Sequence, residues 1–305
     1  MDKRAVYIHN GKPMHRSEFE TWIENQVFSE LDKFIKTDDT LAVAVSGGKD
    51  STFLLDMVHT WNELKNRSPI SAIIIDEGIC GYREFTIKFL KDFCEQKKIK
   101  LYFASFEKET GATLDKIIEK RDANKLTNTY GSCTICGAFR RYLLNRTARK
   151  VGATKLLVGH NLDDEVQTLL MNLFVGNVGQ ASRKGELAGV IKHVDFVVRF
   201  KPLIWLPEKA IATYALLNYP EIPTHECPYL RESLRQTMRK MTNDLEVQWP
   251  GFRQKVMRTY VEKMLPKLGK KIPCGKLLKC EVCSEPASQK ICKPCELKQK
   301  LNLKL

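Results

Sequence analysis

Long apolar runs are missing from this 305-residue chain. None approaches the ~18 residues a membrane-crossing helix needs, so no span is expected. The opening Met-Asp-Lys-Arg is followed by no apolar segment of the signal type, which argues against secretion and for a cytoplasmic protein. No cysteine precedes Cys80. Missing too is the common phosphate loop G-x-x-x-x-G-K-[ST], which sets aside the motor and switch NTPases built on it. No sheet unit repeats internally. Acidic residues are in deficit, 36 against 50 basic, leaving a formal charge of +14. That excess favours a polyanionic partner such as RNA or DNA and speeds encounter with it, without bearing on the fold.

What is present begins with Leu41-Ala-Val-Ala-Val-Ser46-Gly-Gly-Lys-Asp-Ser51. Five apolar residues predict a buried strand. The turn that follows leads into a helix whose Phe53, Leu54, Met57, Val58 and Trp61 share one face. Ser46, Gly47, Gly48, Lys49, Asp50 and Ser51 therefore lie where backbone N–H groups point outward, a place for phosphate. Lys49 would neutralise the phosphates, Ser46 and Ser51 would donate hydroxyls, and Asp50 would help place Mg²⁺.

Further strands are expected near 70–75, 99–104, 154–159 and 194–200, separated by helical patterns. This rhythm predicts an α/β fold with a mostly parallel sheet and helices on both faces. Ligands in such sheets sit beyond the carboxyl ends of the strands, where Asp76 and the run Gly159-His160-Asn-Leu-Asp163-Asp164 also fall. Asp76 reads either as a ribose or metal contact or as a solvated strand end. Gly159 suggests a second close backbone approach. His160 suits proton transfer or a structural hydrogen bond, and Asp163 or Asp164 suits the cap of the next helix. Four regions are expected: an N-terminal appendage at 1–37, a nucleotide-binding domain at 38–227, a basic helical extension at 228–272, and a small module at 273–305. The extension holds eleven Lys or Arg and four Asp or Glu.

Ten cysteines in a chain of this kind argue against a disulfide framework. Cys94 lies at an apolar helical position and reads as core, while Cys80 has no clear role. Cys280-x2-Cys283-x8-Cys292-x2-Cys295 has the spacing of a closed tetrahedral Zn²⁺ site, with Cys274 as a spare. Cys133-Thr-Ile-Cys136 is either a redox pair or half of a metal site. If Cys227 joins it, three thiolates can ligate an iron–sulfur cluster that keeps one iron open. A dithiol oxidoreductase acting on RNA would leave the phosphate loop idle, and an RNA adaptor would need neither the loop nor these three cysteines. An ATP-driven reaction on RNA at a sulfur-handling centre uses them all.

In the order Ser46–Ser51, Ile75-Asp-Glu-Gly-Ile79 with Gly81-Tyr-Arg83, Cys133–Arg141, Gly159–Asp164, Glu226-Cys-Pro-Tyr229 and the terminal four cysteines, the chain resembles the PP-loop ATP-pyrophosphatases. Within them it resembles the tRNA 2-thiolation enzymes, over about residues 38–298. The resemblance implies that ATP adenylylates the C2 oxygen of a uridine, and that sulfur then displaces AMP to give 2-thiouridine. The wobble position is favoured over position 54 of the T loop. It further implies roles in catalysis for Lys49, Asp50 and Asp163, and a [4Fe-4S] cluster or a persulfide on Cys133, Cys136 and Cys227. It implies tRNA contacts at Arg140, Arg141, Arg146, Arg235 and Arg239, sulfide or a thiocarboxylated ubiquitin-like carrier as sulfur source, and a homodimer. One departure stands out. Relatives usually begin with another zinc ribbon, whereas here only His9 and His15 are available, so the N-terminal appendage is expected to hold no metal.

Overall fold

The computed structural model describes residues 4–182, 185–188, 195–223, 226–232, 234–271 and 278–304. The first elements are a hairpin, β1 (Tyr7–His9) and β2 (Lys12–Met14), followed by α1 (Arg16–Phe34). The hairpin turns at Asn10-Gly11, both at positive φ, as a two-residue loop of that type requires. Helix α1 buries Phe19, Ile23, Val27 and Leu31 completely. This four-residue spacing makes one continuous stripe, each side chain contributing about 1.5–3 kcal/mol on leaving water. That stripe belongs to the same apolar core as the central sheet.

The chain then alternates strand and helix: β3 (Leu41–Val45), α2 (Lys49–Leu64), β4 (Ser71–Asp76), α3 (Arg83–Gln96) and β5 (Lys100–Ser105). Helices α4 (Phe106–Thr110), α5 (Leu114–Ala123) and α6 (Ser132–Lys150) precede β6 (Lys155–Val158). After α7 (Leu162–Phe174) and α8 (Val178–Ala181) come β7 (Leu187–Ala188), β8 (Val198–Phe200) and α9 (Glu208–Asn218). The sheet runs β5-β4-β3-β6-β8-β7. All neighbours are parallel except β7 with β8.

Alternation along the strands sorts side chains onto two faces. Val43, Val45, Ala72, Ile74 and Leu157 join α1, α2 and α9 on one side. Ala42, Ile73, Ile75, Leu156 and Val158 join α5 and α6 on the other. The fold is thus mixed α/β with a largely parallel sheet covered on both faces, as the sequence pattern predicts. Since the central strands are parallel, the ends of β3, β4 and β6 open on one edge.

Beyond a short 3₁₀ turn at Pro228–Glu232, the basic extension forms α10 (Leu234–Gln248), α11 (Phe252–Thr259), a π-turn at Tyr260–Met264 and α12 (Leu265–Lys271). Met257 and Tyr260 pack with Leu162, Val166 and Leu169 of α7 in a satellite core. The last elements are the two-residue strands β9 (Leu278–Lys279) and β10 (Pro286–Ala287), and α13 (Lys293–Lys300). Leu297, Leu301 and Leu303 enter the core beneath α6, so the terminal module lies against the helix that carries Cys133 and Cys136. No helix among the described residues is long and apolar enough to cross a membrane.

Candidate active site

The phosphate loop is held from three directions. Gly47 adopts φ +79°, and a Cβ there would fall 2.6 Å from that of Thr86, so only glycine fits. The Ser51 hydroxyl accepts from the Ser46 N–H at 3.0 Å and donates to the Gly48 carbonyl at 3.0 Å. It is an internal brace rather than a free donor. Arg83, buried at 5% exposure, donates to the Ser46 carbonyl at 2.7 Å and to Glu77 at 2.7 Å. Burial opposes the charge of Arg83, and Glu77 more than restores it. Gly159 brings β6 against the loop, where a Cβ would lie 3.1 Å from the Asp50 carbonyl oxygen. The close approach expected there is present.

Lys49 opens α2, and its Nζ donates to Asp50 at 3.0 Å and to Glu208 at 2.7 Å. Burial works against the ammonium, but these two carboxylates raise its pKa above the ordinary value. Asn161 donates to the other Asp50 oxygen at 3.0 Å. The cap of α7 is Asn161, which accepts from the Asp164 N–H at 3.0 Å, and not Asp163 or Asp164. Those two aspartates diverge, as neighbours on a helix must. Asp163 turns away, accepting from the Glu208 N–H at 2.8 Å and pairing with Arg253 at 3.1 Å. Asp164 faces a cavity shared with Asp50, Glu208, Arg235 and Arg239. Burial, despite Arg235 and with Asp50 and Glu208 nearby, pushes the Asp164 carboxyl up to about 6. Asp50, Asp164 and Glu208 thus bring three carboxylates to one cavity, each paired with a cation, and carboxylate oxygens are the donors that a hard divalent cation takes.

Asp76 ends β4 and accepts from the Gly78 N–H at 2.9 Å. His160 is 57% exposed, 3.6 Å from Glu165. Helix α6 begins one residue before Cys133, which is exposed, and carries the half-buried Cys136 one turn on. Cys227 precedes the 3₁₀ turn that packs on α6. Cys227 lies within electrostatic reach of both Cys136 and Cys133. Burial pushes the Cys136 thiol up to about 11, so ionising it calls for a cationic partner. These three thiols, Cys133 exposed and the other two half-buried, are not drawn together as the terminal four are, but as a set of three soft donors they suit a cluster that keeps one iron free.

Arg140 lies 3.7 Å from buried Glu77. Arg141 has its pKa lowered to about 10 by burial and by the nearby cations Arg199 and Arg140. Arg146 pairs with Glu109 at 3.0 Å. Arg235 pairs with Asp164 at 2.8 Å and Arg239 with Glu208 at 3.1 Å, so both point at the phosphate loop. Glu208, Arg199 and the Glu77–Arg83 pair escaped the sequence reading. Glu77 and Arg83 each gave a signal, in Ile75-Asp-Glu-Gly-Ile79 and Gly81-Tyr-Arg83, but their pairing did not; Glu208 opens a helix 159 residues from Lys49.

In the terminal module the Cys280, Cys283, Cys292 and Cys295 sulfurs all lie within 4.8 Å of one another. Burial opposes ionisation of Cys280, yet the N–H groups of Cys292, Cys283 and Val282 outweigh it and bring the thiol down to about 6. Four sulfurs gathered this way make a donor set that can hold a metal ion. Cys274 lies outside the described residues. Cys94 is buried, as expected of core, and Cys80 is exposed. None of the described cysteines is paired in a disulfide.

Residues 19–241 match the PP-loop domain family. A probable sulfurtransferase of Methanocaldococcus jannaschii is 37% identical over 94% of this chain and 82% of its own length. The chain belongs to the PP-loop family, among the tRNA 2-thiolation proteins. The tRNA 2-thiolation protein NcsA of Haloferax volcanii is 35% identical over 85% of this chain and 81% of its own. The U34-tRNA thiolase NcsA of Methanococcus maripaludis, solved with its [4Fe-4S] cluster, superposes with a TM-score of 0.81. It is 28% identical, covering 98% of this chain and 94% of that one.

Proposed function

We propose that this PP-loop protein is a tRNA sulfurtransferase of the cytoplasm that consumes ATP and converts uridine to 2-thiouridine at the anticodon wobble position. The observation carrying this reading is the chain of contacts Ser46–Arg83–Glu77–Arg140, which leads from the phosphate loop to the neighbourhood of Cys136. Lys49 and the loop amides hold the phosphates and stabilise charge as pyrophosphate leaves. Asp50 and Asp164 hold Mg²⁺, while Asp163 braces α9. Asp76, Gly159 and His160 border the adenosine moiety. Cys133, Cys136 and Cys227 hold a [4Fe-4S] cluster, which when bound presents one iron to a hydrosulfide-like sulfur. Arg140 and Arg141, with Arg199 behind them, grip RNA phosphates beside the target base. The four terminal cysteines hold Zn²⁺.

Several finer points belong to the same proposal. The sulfur comes from sulfide or a thiocarboxylated ubiquitin-like carrier, and the protein works as a homodimer. Residues 38–227 form the catalytic portion, with 228–272 as its helical extension and 273–305 as the metal module. The wobble assignment is supported by the U34 thiolase that superposes over nearly the whole chain.

The test is anaerobic incubation of unmodified tRNA with the protein, ATP, Mg²⁺ and sulfide, followed by nucleoside mass spectrometry. 2-Thiouridine in the anticodon oligonucleotide, with stoichiometric AMP, is expected. 2-Thiouridine in the T-loop oligonucleotide would move the assignment to position 54, and an ATP-independent thiol reaction would sink it. Lys49→Ala should abolish AMP formation while keeping most tRNA affinity.

A further inference from the structure

Around the phosphate loop three cations and three carboxylates neutralise one another: Lys49 with Asp50 and Glu208, Arg239 with Glu208, and Arg235 with Asp164. A partly open cavity of about 80 Å³ lies between Asp50, Asp164, Glu208, Arg235 and Arg239, with room for a few waters while these ion pairs hold. Its roof is α10, which packs along α7. Arg235 and Arg239 stand on one face of α10, four residues apart. Glu208 Oε1 is shared between Lys49 and Arg239, so a nucleotide phosphate arriving at the partly exposed Lys49 competes with Glu208 for the ammonium.

We infer that Arg235 and Arg239 are ligands of the nucleotide phosphates, handed over from Asp164 and Glu208 when ATP arrives with its divalent cation, and that α10 is the cover of the nucleotide site. This rests on the reading of the loop as an ATP site. Charge bookkeeping favours the exchange. Asp164 passes to the divalent cation beside Asp50, the guanidinium groups pass to phosphate oxygens that they bind bidentately, and the displaced Glu208, already partly exposed, turns to water. Recruiting the same arginines to RNA would instead take Arg235 from Asp164 in a partly desolvated pocket, a costly outcome, and leave Glu208 to Lys49 alone. Glu208 acts as an internal stand-in for phosphate at Lys49 and so sets a threshold for nucleotide entry.

The experiment measures, on full-length anaerobically purified protein, the affinity for Mg²⁺ with the α,β-methylene analogue of ATP and, separately, for tRNA. Arg239→Ala and Arg235→Ala should each weaken analogue binding about 10-fold or more and leave tRNA affinity within about twofold of wild type. Arg239→Lys, which keeps the charge and loses the fork, should fall between. Glu208→Gln should tighten analogue binding several-fold, because the competitor for Lys49 loses its charge. Loss of tRNA affinity with unchanged analogue binding in the arginine variants would overturn the inference. So would a Glu208→Gln protein that binds the analogue as poorly as Arg239→Ala, since that pattern marks a merely structural pair. If the wild type itself binds no analogue, the ATP reading of the loop falls as well, which separates the two failures.

Discussion

The two cysteine groups of this chain differ in how completely the protein closes them. In the terminal module four sulfurs lie within 4.8 Å of one another, all from a segment of 16 residues, and backbone N–H groups already favour one thiolate. The crevice group has only three thiols, from α6 and from a loop about ninety residues later, and Cys133 is exposed. A set of four protein donors saturates a metal and leaves it nothing to do but hold the fold. A set of three leaves a position for something that must come and go. Closure marks the structural site, and incompleteness marks the reactive one.

This contrast can be broken by experiment. The largest effect is expected from Cys133→Ser, Cys136→Ser or Cys227→Ser. Each should remove bound iron and lower thiolation by about a hundredfold or more, as loss of a ligand to a working metal implies. Unfolding free energy should move by less than about 1 kcal/mol at exposed Cys133. A colourless variant that still thiolates would refute the assignment. Next, Cys283→Ser or Cys292→Ser should release the terminal metal and cost several kcal/mol, roughly the scale on which structural zinc underwrites small modules. Thiolation should fall only as far as the folded fraction falls. Metal analysis and denaturant unfolding check both. Deleting 273–305 should do more than remove a metal, because Leu297, Leu301 and Leu303 leave the core under α6. Aggregation or a lowered midpoint is expected, and an unchanged one would make the module an ornament.

The smallest effect concerns Asp164. Its folded pKa of about 6 lies above the ordinary 3.8, so the folded state holds the proton more tightly than the unfolded chain. Ionised Asp164 therefore subtracts stability above pH 6, and the subtraction fades as pH falls through 6 towards 4. Asp164→Asn should raise stability at about pH 7.5 by about 1–2 kcal/mol, with the gain gone near pH 4, while weakening nucleotide binding. A variant less stable at neutral pH would show that the pair with Arg235 outweighs the burial.

The strands, the two-faced sheet and the common edge of the loops were legible because period-two burial and strand–helix alternation are local signals. The phosphate loop and the terminal thiols were legible for the same reason, since their spacing is set within a few residues. The nearness of Cys227 to Cys133 and Cys136 was not, because spacing says nothing about residues joined only by tertiary packing. Glu208 was hidden in the same way: an acidic residue after Pro207 reads as an ordinary first-turn glutamate. The ion pairs of Arg235 and Arg239 were hidden too, because sequence gives their charge and no direction. Their carboxylate partners, Asp164 and Glu208, come from α7 and α9.

The terminal module also bears on the order of assembly. Lys298 reaches Glu109 at 2.8 Å, and Lys120 reaches the carbonyl of Asn302 at 3.1 Å, across sequence separations of 189 and 182 residues. A growing chain makes α6 and its two cysteines long before it makes their covering. During synthesis, then, α6 waits with an apolar flank open, a state in which chains are prone to stick. Docking of the late-made leucines is the step that ends the exposure, and capture of metal by the neighbouring thiols would time it.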